Sequence, residues 1–270
     1  RWEKGQTATM IALQGCLESS CHYCSTGLTQ LCPGRRVQGL HLDGGMAEKV
    51  VVDDHYLLPL PDGLSTTAAS LTEPLSVADH CIHDCSEIES GDRVVVCGPG
   101  VIGILCALMA RQRGAEVVIS GLEADEPVRL AIASKIGFET LTVGGQHPSL
   151  TDQLEGQEVD VIVDASGASR VLEEATRIVR PDGTICVVAL YPQEVTIDFN
   201  VLVRNQIDIR TSYASARPNY QRAIDALHAG EIPVDELVRS YPLAAGVEAF
   251  EEADRQEVLK PILECSVQSE

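Results

Sequence analysis

Basic residues are scarce in this chain of 270 residues, and lysine is the scarcer of the two kinds. Twenty lysines and arginines stand against forty aspartates and glutamates, so the formal net charge is −20, and only four of the basic residues are lysine. A surface this acidic repels phosphate backbones and anionic lipids at ordinary salt concentrations. The composition therefore argues against nucleic acids and membranes as partners.

The chain also lacks long apolar runs. Its most apolar window, residues 94–110, is interrupted by Gly98-Pro99-Gly100 and is too short to cross a bilayer. The first residues, Arg-Trp-Glu-Lys-Gly-Gln, contain no apolar stretch of the kind that a secretory signal needs. Three of the ten cysteines are closely spaced and most of the others lie in apolar segments, which is unlike a secreted disulfide framework. We expect a reducing, cytoplasmic setting.

From residue 92 onward the chain contains a regular alternation of apolar strands with helices. The pattern predicts strands at 93–97, 116–120, 140–143, 159–164, 184–190 and 206–212, and helices at 101–113, 126–136, 169–180 and 217–229. Such alternation is typical of an α/β fold with a doubly wound parallel sheet, and 44% hydrophobic residues suffice to build its core. Residues 1–60 instead predict short β segments and loops, and 44–53 is one of those segments.

A glycine-rich turn follows the first of these strands and opens a helix. Gly98 would allow the tight turn, Gly100 would let the backbone approach a pyrophosphate, and Gly103 would let helix and strand pack closely. The first amides of the helix, at Val101 and Ile102, would face the anion together with the helix dipole. This pattern predicts a dinucleotide site.

A cysteine-rich loop is the second strong signal. Cys21, Cys24 and Cys32 are separated by two and by seven residues, so their thiolates can converge on a tetrahedral zinc ion. Two residues could complete the set: Glu18, which extends the regular spacing, and Cys16, which offers the softer sulfur. Four protein ligands would close the coordination shell, so the metal would be structural.

A second group of histidines and cysteines, at residues 80–85, falls in a predicted helix. On an α-helix only Cys81 and Cys85 of this group share a face. We therefore expect packing and solvent exposure there, and no metal.

Several segments occur in an order that resembles a known family. They are the cysteine loop, Gly44-Gly-Met-Ala-Glu48, Leu60-Pro-Asp-Gly-Leu-Ser65, Glu73-Pro-Leu-Ser-Val-Ala78, Gly98-Pro-Gly-Val-Ile-Gly103 and Asp160-Val-Ile-Val-Asp-Ala-Ser-Gly167. Together they resemble the zinc-dependent medium-chain dehydrogenases, and the segment beginning at Glu73 is most similar to the sorbitol and threonine dehydrogenase branch. The resemblance extends over essentially the whole chain.

The resemblance implies a Rossmann domain and a GroES-like catalytic domain, with the active site in the cleft between them. It assigns residues 1–73 to a partial GroES-like domain, 74–213 to the Rossmann domain and 214–270 to a return into the catalytic domain. It implies hydride transfer between NAD(P) and a secondary alcohol or polyol, polarised by a catalytic zinc. It further implies a homo-oligomer, either a dimer or a tetramer.

The resemblance also implies particular metal ligands. The family places its first structural ligand at the position of Glu18, and some members use glutamate there, so Glu18 is favoured over Cys16. Glu73 corresponds to a ligand position of the catalytic zinc. The family's other catalytic ligands include a Gly-His-Glu segment, and this chain contains no His-Glu dipeptide. We therefore expect the chain to be shortened at its N-terminus and inactive in this form.

Two alternatives follow from the same departure. A non-catalytic dinucleotide-binding protein that has lost its catalytic zinc would also lack these ligands. A zinc-free quinone reductase of the same superfamily is disfavoured, because it would leave the cysteine loop without a purpose.

The choice between NAD and NADP depends on the end of the second strand. An acid there would accept the ribose hydroxyls of NAD, but the sequence has Gly121, which would leave room for a 2′-phosphate. Glu123 and Asp125 follow, and either could replace the missing acceptor, while Arg129 fits the family's basic position near the adenosine. We favour NAD and keep NADP as the alternative.

The nicotinamide pocket is assigned by resemblance alone. It implies that Val188 to Leu190, after the fifth strand, and Tyr213, after the sixth, line this pocket.

Overall fold

The computed structural model describes residues 2–265 and divides the chain into two compact units. One unit contains the residues up to Val77 and those from Ala214 onward, and the other contains Ala78–Tyr213. Residues 1 and 266–270, at the ends of the first and third predicted domains, lie outside the described residues. Among the described helices, none combines the length and the apolar character needed to span a membrane.

The elements of regular structure are as follows. The strands are β1 (Ala8–Met10), β2 (Leu13–Gln14), β3 (Arg36–Val37), β4 (Leu57–Pro59), β5 (Arg93–Cys97), β6 (Glu116–Leu122), β7 (Glu139–Val143), β8 (Val159–Asp164), β9 (Val179–Val187), β10 (Asp208–Thr211), β11 (Val238–Pro242) and β12 (Lys260–Glu264). The α-helices are α1 (His22–Ser25), α2 (Thr66–Ala69), α3 (Thr72–Asp79), α4 (Val101–Gln112), α5 (Ala131–Lys135), α6 (Leu150–Gln153), α7 (Ser169–Ile178), α8 (Phe199–Asn205), α9 (Arg217–His228), α10 (Val234–Leu237) and α11 (Gly246–Asp254). Two π-helical segments, His80–Cys85 and Glu126–Leu130, follow α3 and precede α5.

A six-stranded parallel sheet forms the centre of the second unit. Its strand order is β10-β9-β8-β5-β6-β7, so the chain winds outward from β5 first in one direction and then in the other. Val95 lies between Val118 of β6 and Ile162 of β8, and all three are buried. Strands covered on both faces need continuous apolar sequences, which explains why β5 and β8 were recognisable. The predicted α/β fold with a doubly wound parallel sheet is confirmed.

The strand β9 begins earlier than its sequence predicts. It starts at Val179, whereas Pro181-Asp182-Gly183 predicted a turn before a strand at 184. The ladder with β8 shifts its register between these points, because Val179 pairs with Val159 but Thr184 already pairs with Val161. The turn residues are thus absorbed as an irregularity within the strand, and Asp182 adopts a positive φ of 62° there.

In its described residues, the first unit contains three small sheets. The strands β1 and β4 pair antiparallel, β2 and β3 pair antiparallel, and β11 and β12 pair in parallel. One apolar cluster joins the N-terminal strands to α9, and its buried members are Ile11, Tyr56, Leu58, Tyr220 and Ile224. Because each sheet has only two strands, this unit depends on such apolar clusters for its stability.

The predicted β segment at 44–53 is wrong. These residues form an irregular loop in the structure, and Val51 has 95% of its surface exposed. Its valines favour a strand, but a strand also requires a neighbour to which its backbone can hydrogen-bond, and no ladder partner exists for it among the described residues.

Candidate functional site

Four cysteine thiols converge in the loop at residues 16–32, which contains α1. The sulfurs of Cys16, Cys21, Cys24 and Cys32 all lie within 4.8 Å of one another. The Cys16 and Cys24 sulfurs are 3.7 Å apart, and those of Cys21 and Cys32 are 3.8 Å apart. Four sulfurs at about 2.3 Å from a tetrahedral zinc ion would be about 3.8 Å from each other. The donor set and its spacing therefore fit a zinc ion.

Glu18 does not join this cluster, contrary to the expectation that it would complete the ligand set in preference to Cys16. Leu17 adopts a positive φ of 59°, which is unusual for leucine, and the chain reverses there. This reversal directs Cys16 toward the other thiols and leaves Glu18 exposed on the outside of the loop. The spacing of four residues between Cys16 and Cys21 gives no hint of this, because a left-handed leucine is hard to foresee.

Two residues that support the cysteine cluster were not recognised from the sequence. Gly15 lies so close that a Cβ there would approach the Cys24 sulfur to 2.9 Å. The buried hydroxyl of Tyr56 donates a hydrogen bond of 2.5 Å to the Gly15 carbonyl, which ties the loop to the apolar cluster of the first unit. A glycine directly before a candidate ligand was the available signal for Gly15. Tyr56 offered none.

The thiols affect one another's ionisation. Burial disfavours the Cys32 thiolate, but the Cys16 backbone N–H, which lies 3.4 Å from the Cys32 sulfur, and the neighbouring thiols outweigh it and lower the pKa of Cys32 to about 7. For Cys16 a backbone amide favours the thiolate, yet burial and hydrogen bonds with the other sulfurs raise its pKa to about 12. Four thiolates this close repel each other, so full ionisation requires a cation among them.

The glycine turn after β5 is built around two close backbone contacts. Gly98 has a φ of +103°, and a Cβ there would lie 3.0 Å from the backbone of Ala165 and Ser166. A Cβ at Gly103 would lie only 1.9 Å from the Gly98 carbonyl oxygen. Both positions therefore require glycine for steric reasons, as the sequence pattern predicts, and α4 can begin directly at the end of β5.

Gly100 differs from the other two glycines. A Cβ there would meet nothing within 4 Å, and its φ of −67° is accessible to any residue. Gly100 is the N-cap of α4, where the unpaired amides of Val101 and Ile102 point outward along the helix axis. Protein packing does not account for a glycine here, whereas an anion seated on these amides would.

The loop after β8 meets the glycine turn at the point where the strand order reverses. The buried Asp164 accepts hydrogen bonds from the Ser166 amide at 2.8 Å and hydroxyl at 2.6 Å, and the Tyr191 hydroxyl also donates to it. Gly167 in turn lies against the Leu190 carbonyl oxygen. These bonds hold the ends of β8 and β9 beside Gly98, which is the usual place for a dinucleotide in such sheets.

Apolar side chains are exposed along the same edge of the sheet. Leu190 has 79% of its surface exposed and Tyr213 has 41%, while Val188 is half-buried and its amide donates to the Asp164 carbonyl oxygen at 3.0 Å. Nearby, a largely apolar cavity of about 100 Å³ opens among the ends of β6 and β7 and the start of α7. It is lined by Ser120, Leu122, Val143, Gly144, Leu150, Ala168, Arg170, Val171 and Glu174.

Gly121 is small for a reason that the sequence did not reveal. A Cβ there would come within 2.7 Å of Pro99 and 3.1 Å of Leu130, so packing alone excludes an acid at this position. Asp125 is buried, accepts the Leu122 amide at 2.9 Å, and pairs with Arg129 at 3.2 Å. Its carboxylate is thus already engaged within the protein.

Glu73 stands in the first turn of α3, where the helix dipole favours a carboxylate. Its side chain remains exposed on one side, but neighbouring protein atoms withdraw the carboxyl from water and raise the pKa of Glu73, while the Lys260 ammonium acts in the opposite direction. Among the described residues, the four cysteines are the only three or more metal-ligating side chains whose ligand atoms all lie within 4.8 Å of one another, and Glu73 is not part of this cluster.

Comparison with known proteins identifies the family. A family model described as zinc-binding dehydrogenase matches residues 101–229, and one described as alcohol dehydrogenase GroES-like domain matches residues 1–62. The chain is 30% identical to the D-arabitol-phosphate dehydrogenase of Enterococcus avium over 251 residues, which are 91% of this chain and 71% of that protein. The chain belongs to the zinc-dependent medium-chain dehydrogenases.

Two further relatives agree with this assignment. The sorbitol dehydrogenase of Halalkalibacterium halodurans is 30% identical over 249 residues, 90% of this chain and 72% of that protein. The crystal structure of a candidate zinc-binding dehydrogenase of Sinorhizobium meliloti 1021, bound to NADP, superimposes with a TM-score of 0.82 at 26% identity and covers 91% of this chain and 72% of that one. At the level of the family, the expectations of a dehydrogenase that uses zinc and NAD(P) are confirmed.

The first prediction contrasts two glycines of this dehydrogenase. Gly100→Ser should leave the melting temperature unchanged, because serine is a good N-cap residue and its Cβ meets no protein atom. It should weaken dinucleotide binding about tenfold or more by filling the space before the helix. Gly103→Ala should instead destabilise the fold by about 3 kcal/mol, because its methyl group collides with Gly98. Thermal unfolding and fluorescence titration with NADH measure both effects. Unchanged NADH binding in folded Gly100→Ser would contradict the role of Gly100, and an unchanged melting temperature of Gly103→Ala would contradict the steric role of Gly103.

The second prediction separates the two candidate zinc ligands. Cys16→Ser should lower the affinity for zinc by about a hundredfold, because it removes one of four thiolates. Glu18→Gln is the matched control and should retain one zinc per chain. Zinc content after dialysis against a graded series of chelator concentrations measures the difference. If Glu18→Gln lost its zinc while Cys16→Ser retained it, Glu18 and not Cys16 would be the fourth ligand.

The third prediction concerns the carboxyl of Glu73. Because the folded protein raises the pKa of Glu73, it binds this proton more tightly than the unfolded chain does, so stability falls as the pH rises through the interval between the two pKa values. Glu73→Gln should therefore raise the melting temperature at about pH 7, and the gain should shrink at about pH 3, where the carboxyl is almost fully protonated in both states. The exposed Glu194→Gln serves as control and should change neither value. A lower melting temperature for Glu73→Gln at neutral pH would contradict the analysis.

Proposed function

We propose that this protein transfers hydride between NAD(P) and a sugar alcohol or related secondary alcohol. The observation that carries the proposal is the open space in front of Gly100, at the reversal of strand order and at the start of α4. The substrate class rests on the relatives, since the two most informative are named for D-arabitol phosphate and sorbitol. An acidic surface is compatible with a small uncharged polyol.

The dinucleotide would lie along the carboxyl edge of the sheet. The amides of Gly100, Val101 and Ile102 would donate hydrogen bonds to the pyrophosphate, and the small apolar cavity beside β6 would receive the adenine ring. Leu190 and Tyr213, exposed at the same edge, would flank the nicotinamide and exclude water from it. When bound, the nicotinamide ring supplies the carbon that accepts or releases hydride.

The zinc ion would be held by Cys16, Cys21, Cys24 and Cys32. When bound, it supplies a closed tetrahedral cross-link and no open position for substrate. The chain's own contribution is to present four sulfurs on a loop that Tyr56 fastens to the apolar cluster. We assign this metal a structural role, in a catalytic domain formed by residues 1–73 and 214–270.

The residues around Glu73 do not make a complete catalytic metal site. Glu73 is a single carboxylate, and no second group of metal-ligating side chains includes it in the described part of the chain. One carboxylate does not hold zinc, so the residues around Glu73 do not by themselves form a catalytic zinc site. A non-catalytic dinucleotide-binding protein is the second candidate function, and this incomplete ligand set is the observation that favours it.

Cofactor selection would depend on Glu123. The Asp125 carboxylate is engaged with the Leu122 amide and with Arg129, and packing around Gly121 leaves no room for an acidic side chain there. Glu123, directly after β6, has an exposed carboxylate. A carboxylate there accepts ribose hydroxyls and repels a 2′-phosphate. We therefore propose NAD as the preferred cofactor. The NADP bound to the Sinorhizobium meliloti protein supports the alternative.

Oligomerisation would use the sheet edge at β10. This strand has a neighbour on only one side among the described strands, and Ile209 on it and Phe199 and Val203 on α8 are exposed apolar residues. A second copy that covers this edge would satisfy its unpaired backbone groups. We propose a homodimer or tetramer on this basis.

The fourth prediction tests function and cofactor together. NAD and NADP are titrated into the zinc-loaded protein, and turnover is then followed by the absorbance of reduced nicotinamide with a panel of sugar alcohols, their phosphates and simple secondary alcohols. We expect NAD to bind more tightly than NADP, and Glu123→Gln to shift this preference toward NADP by about tenfold or more.

The outcomes separate the candidate functions. Turnover of a sugar alcohol supports the dehydrogenase. Tight dinucleotide binding without turnover of any alcohol in the panel agrees with the expected inactivity of this form and is also the result that the binding protein would give. Absence of dinucleotide binding overturns both.

A further inference from the structure

A histidine and a cysteine are brought together by the π-helical segment that follows α3. On an α-helix, residues five positions apart point about 140° away from each other. In the π-helix His80–Cys85 the backbone hydrogen bonds join residues five positions apart. His80 and Cys85 therefore lie on one face of the helix. Cys81, which an α-helix would place beside Cys85, is instead fully buried against the sulfur of Cys186 at 3.5 Å.

The group contains three side chains in a chain of contacts. His80 Nε2 lies 3.8 Å from the Cys85 sulfur, and His80 Nδ1 lies 2.9 Å from a carboxylate oxygen of Asp84. The Asp84 carboxylate accepts a hydrogen bond from the His80 Nδ1–H, which orients the imidazole with Nε2 toward the thiol. A nucleophile, a base and a group that orients the base are thus arranged in sequence.

The surroundings favour charge separation within this group. His80 is only 13% exposed, whereas Asp84 is 42% exposed and Cys85 is partly exposed. The hydrogen bond with Cys85 raises the pKa of His80 most, burial opposes it, and Asp84 adds to the rise, so that the value reaches about 9. An imidazolium beside a thiol stabilises the thiolate, which is the reactive form of cysteine.

The chain leads from this group toward the amino end of β5. It passes from Cys85 to Arg93, where β5 begins, and Glu87 on the way pairs with Arg210 at 2.8 Å. The glycine turn follows the other end of the same strand. The inference rests on the contacts among His80, Asp84 and Cys85 and not on the proposed function.

We propose that Cys85 is a nucleophilic thiol that forms mixed disulfides with low-molecular-weight disulfides. The Cys85 thiolate attacks one sulfur of the reagent, and a new sulfur–sulfur bond forms as the reagent's own disulfide bond breaks. The departing thiolate takes the proton that His80 Nε2 received from Cys85. The protein thiol is oxidised and half of the reagent is reduced to a free thiol, so no further oxidant is needed.

The fifth prediction uses oxidised glutathione as the probe on the zinc-loaded protein. The rate of adduct formation at each cysteine is followed by intact mass and peptide mapping, and the partly exposed Cys265 is the internal reference. We expect Cys85 to react about tenfold or more faster than Cys265, and Cys85→Ser to abolish the fast adduct. His80→Gln should slow the reaction of Cys85 about tenfold, and Asp84→Asn should slow it less, because the base remains but is poorly oriented.

Two controls keep the test decisive. Melting temperature and NADH binding should be the same in all variants as in the parent protein, which shows that the fold and the dinucleotide site are intact. Should His80→Gln fail to fold, Asp84→Asn at its exposed position carries the test. A Cys85 rate equal to that of Cys265 overturns the proposal, and so does a rate that neither substitution changes in folded protein.

Discussion

The contact between the Gly98 carbonyl oxygen and Gly103 is the constraint on which the dinucleotide half of this protein depends. With no side chain at residue 103, the first turn of α4 can sit directly on the end of β5. The amides at the start of α4 then lie where the strand order of the sheet reverses, next to the loop after β8 that Asp164 holds in place by hydrogen bonds. Any side chain at residue 103 would push the helix away and separate these groups. Packing between helix and strand, more than any single polar contact, creates the site.

The other unit is held together differently. Its sheets have two strands each, so it cannot rely on a continuous core of the kind that buries β5 and β8. Four thiols at tetrahedral spacing would supply a cross-link when they hold the proposed zinc ion, and the Tyr56 hydroxyl connects their loop to the apolar cluster. Small, loop-rich structures commonly use metals or disulfides for this purpose. Removing the metal should therefore loosen the loop without affecting the parallel sheet.

The sequence predicted best where one local rule decides the structure. The strands at 93–97 and 159–164 and the start of α4 at residue 101 agree with the structure because buried strands and glycine turns carry strong patterns. The strand predicted at 44–53 is absent from the structure, because a strand needs a neighbouring strand to pair with and the local sequence does not reveal whether one is present. The Cys16 thiol joins the cysteine cluster and Glu18 does not, and the left-handed Leu17 that separates these two residues was not foreseeable from the spacing.

The histidine and cysteine of the π-helix show the same limit in another form. With α-helical geometry the sequence predicts that the side chains of Cys81 and Cys85 share a face. The segment after α3 is instead a π-helix, which places His80 beside Cys85. The direction of a side chain depends on the helix type, so assuming an α-helix in place of a π-helix assigns Cys85 the wrong neighbour, Cys81 in place of His80. The reason for the absence of an acid at Gly121 was also beyond local sequence, because Pro99 and Leu130 reach it only in the folded sheet.

Hydrogen–deuterium exchange of the zinc-loaded protein with and without NAD is the most direct test of the central claim, that the carboxyl edge of the sheet around Gly100 holds a dinucleotide. Peptides that cover residues 98–103 and 164–168 should exchange more slowly when NAD is present, and exchange in the cysteine loop at 16–32 should be unchanged. Protection confined to segments outside this edge, or no protection at saturating NAD, would contradict it.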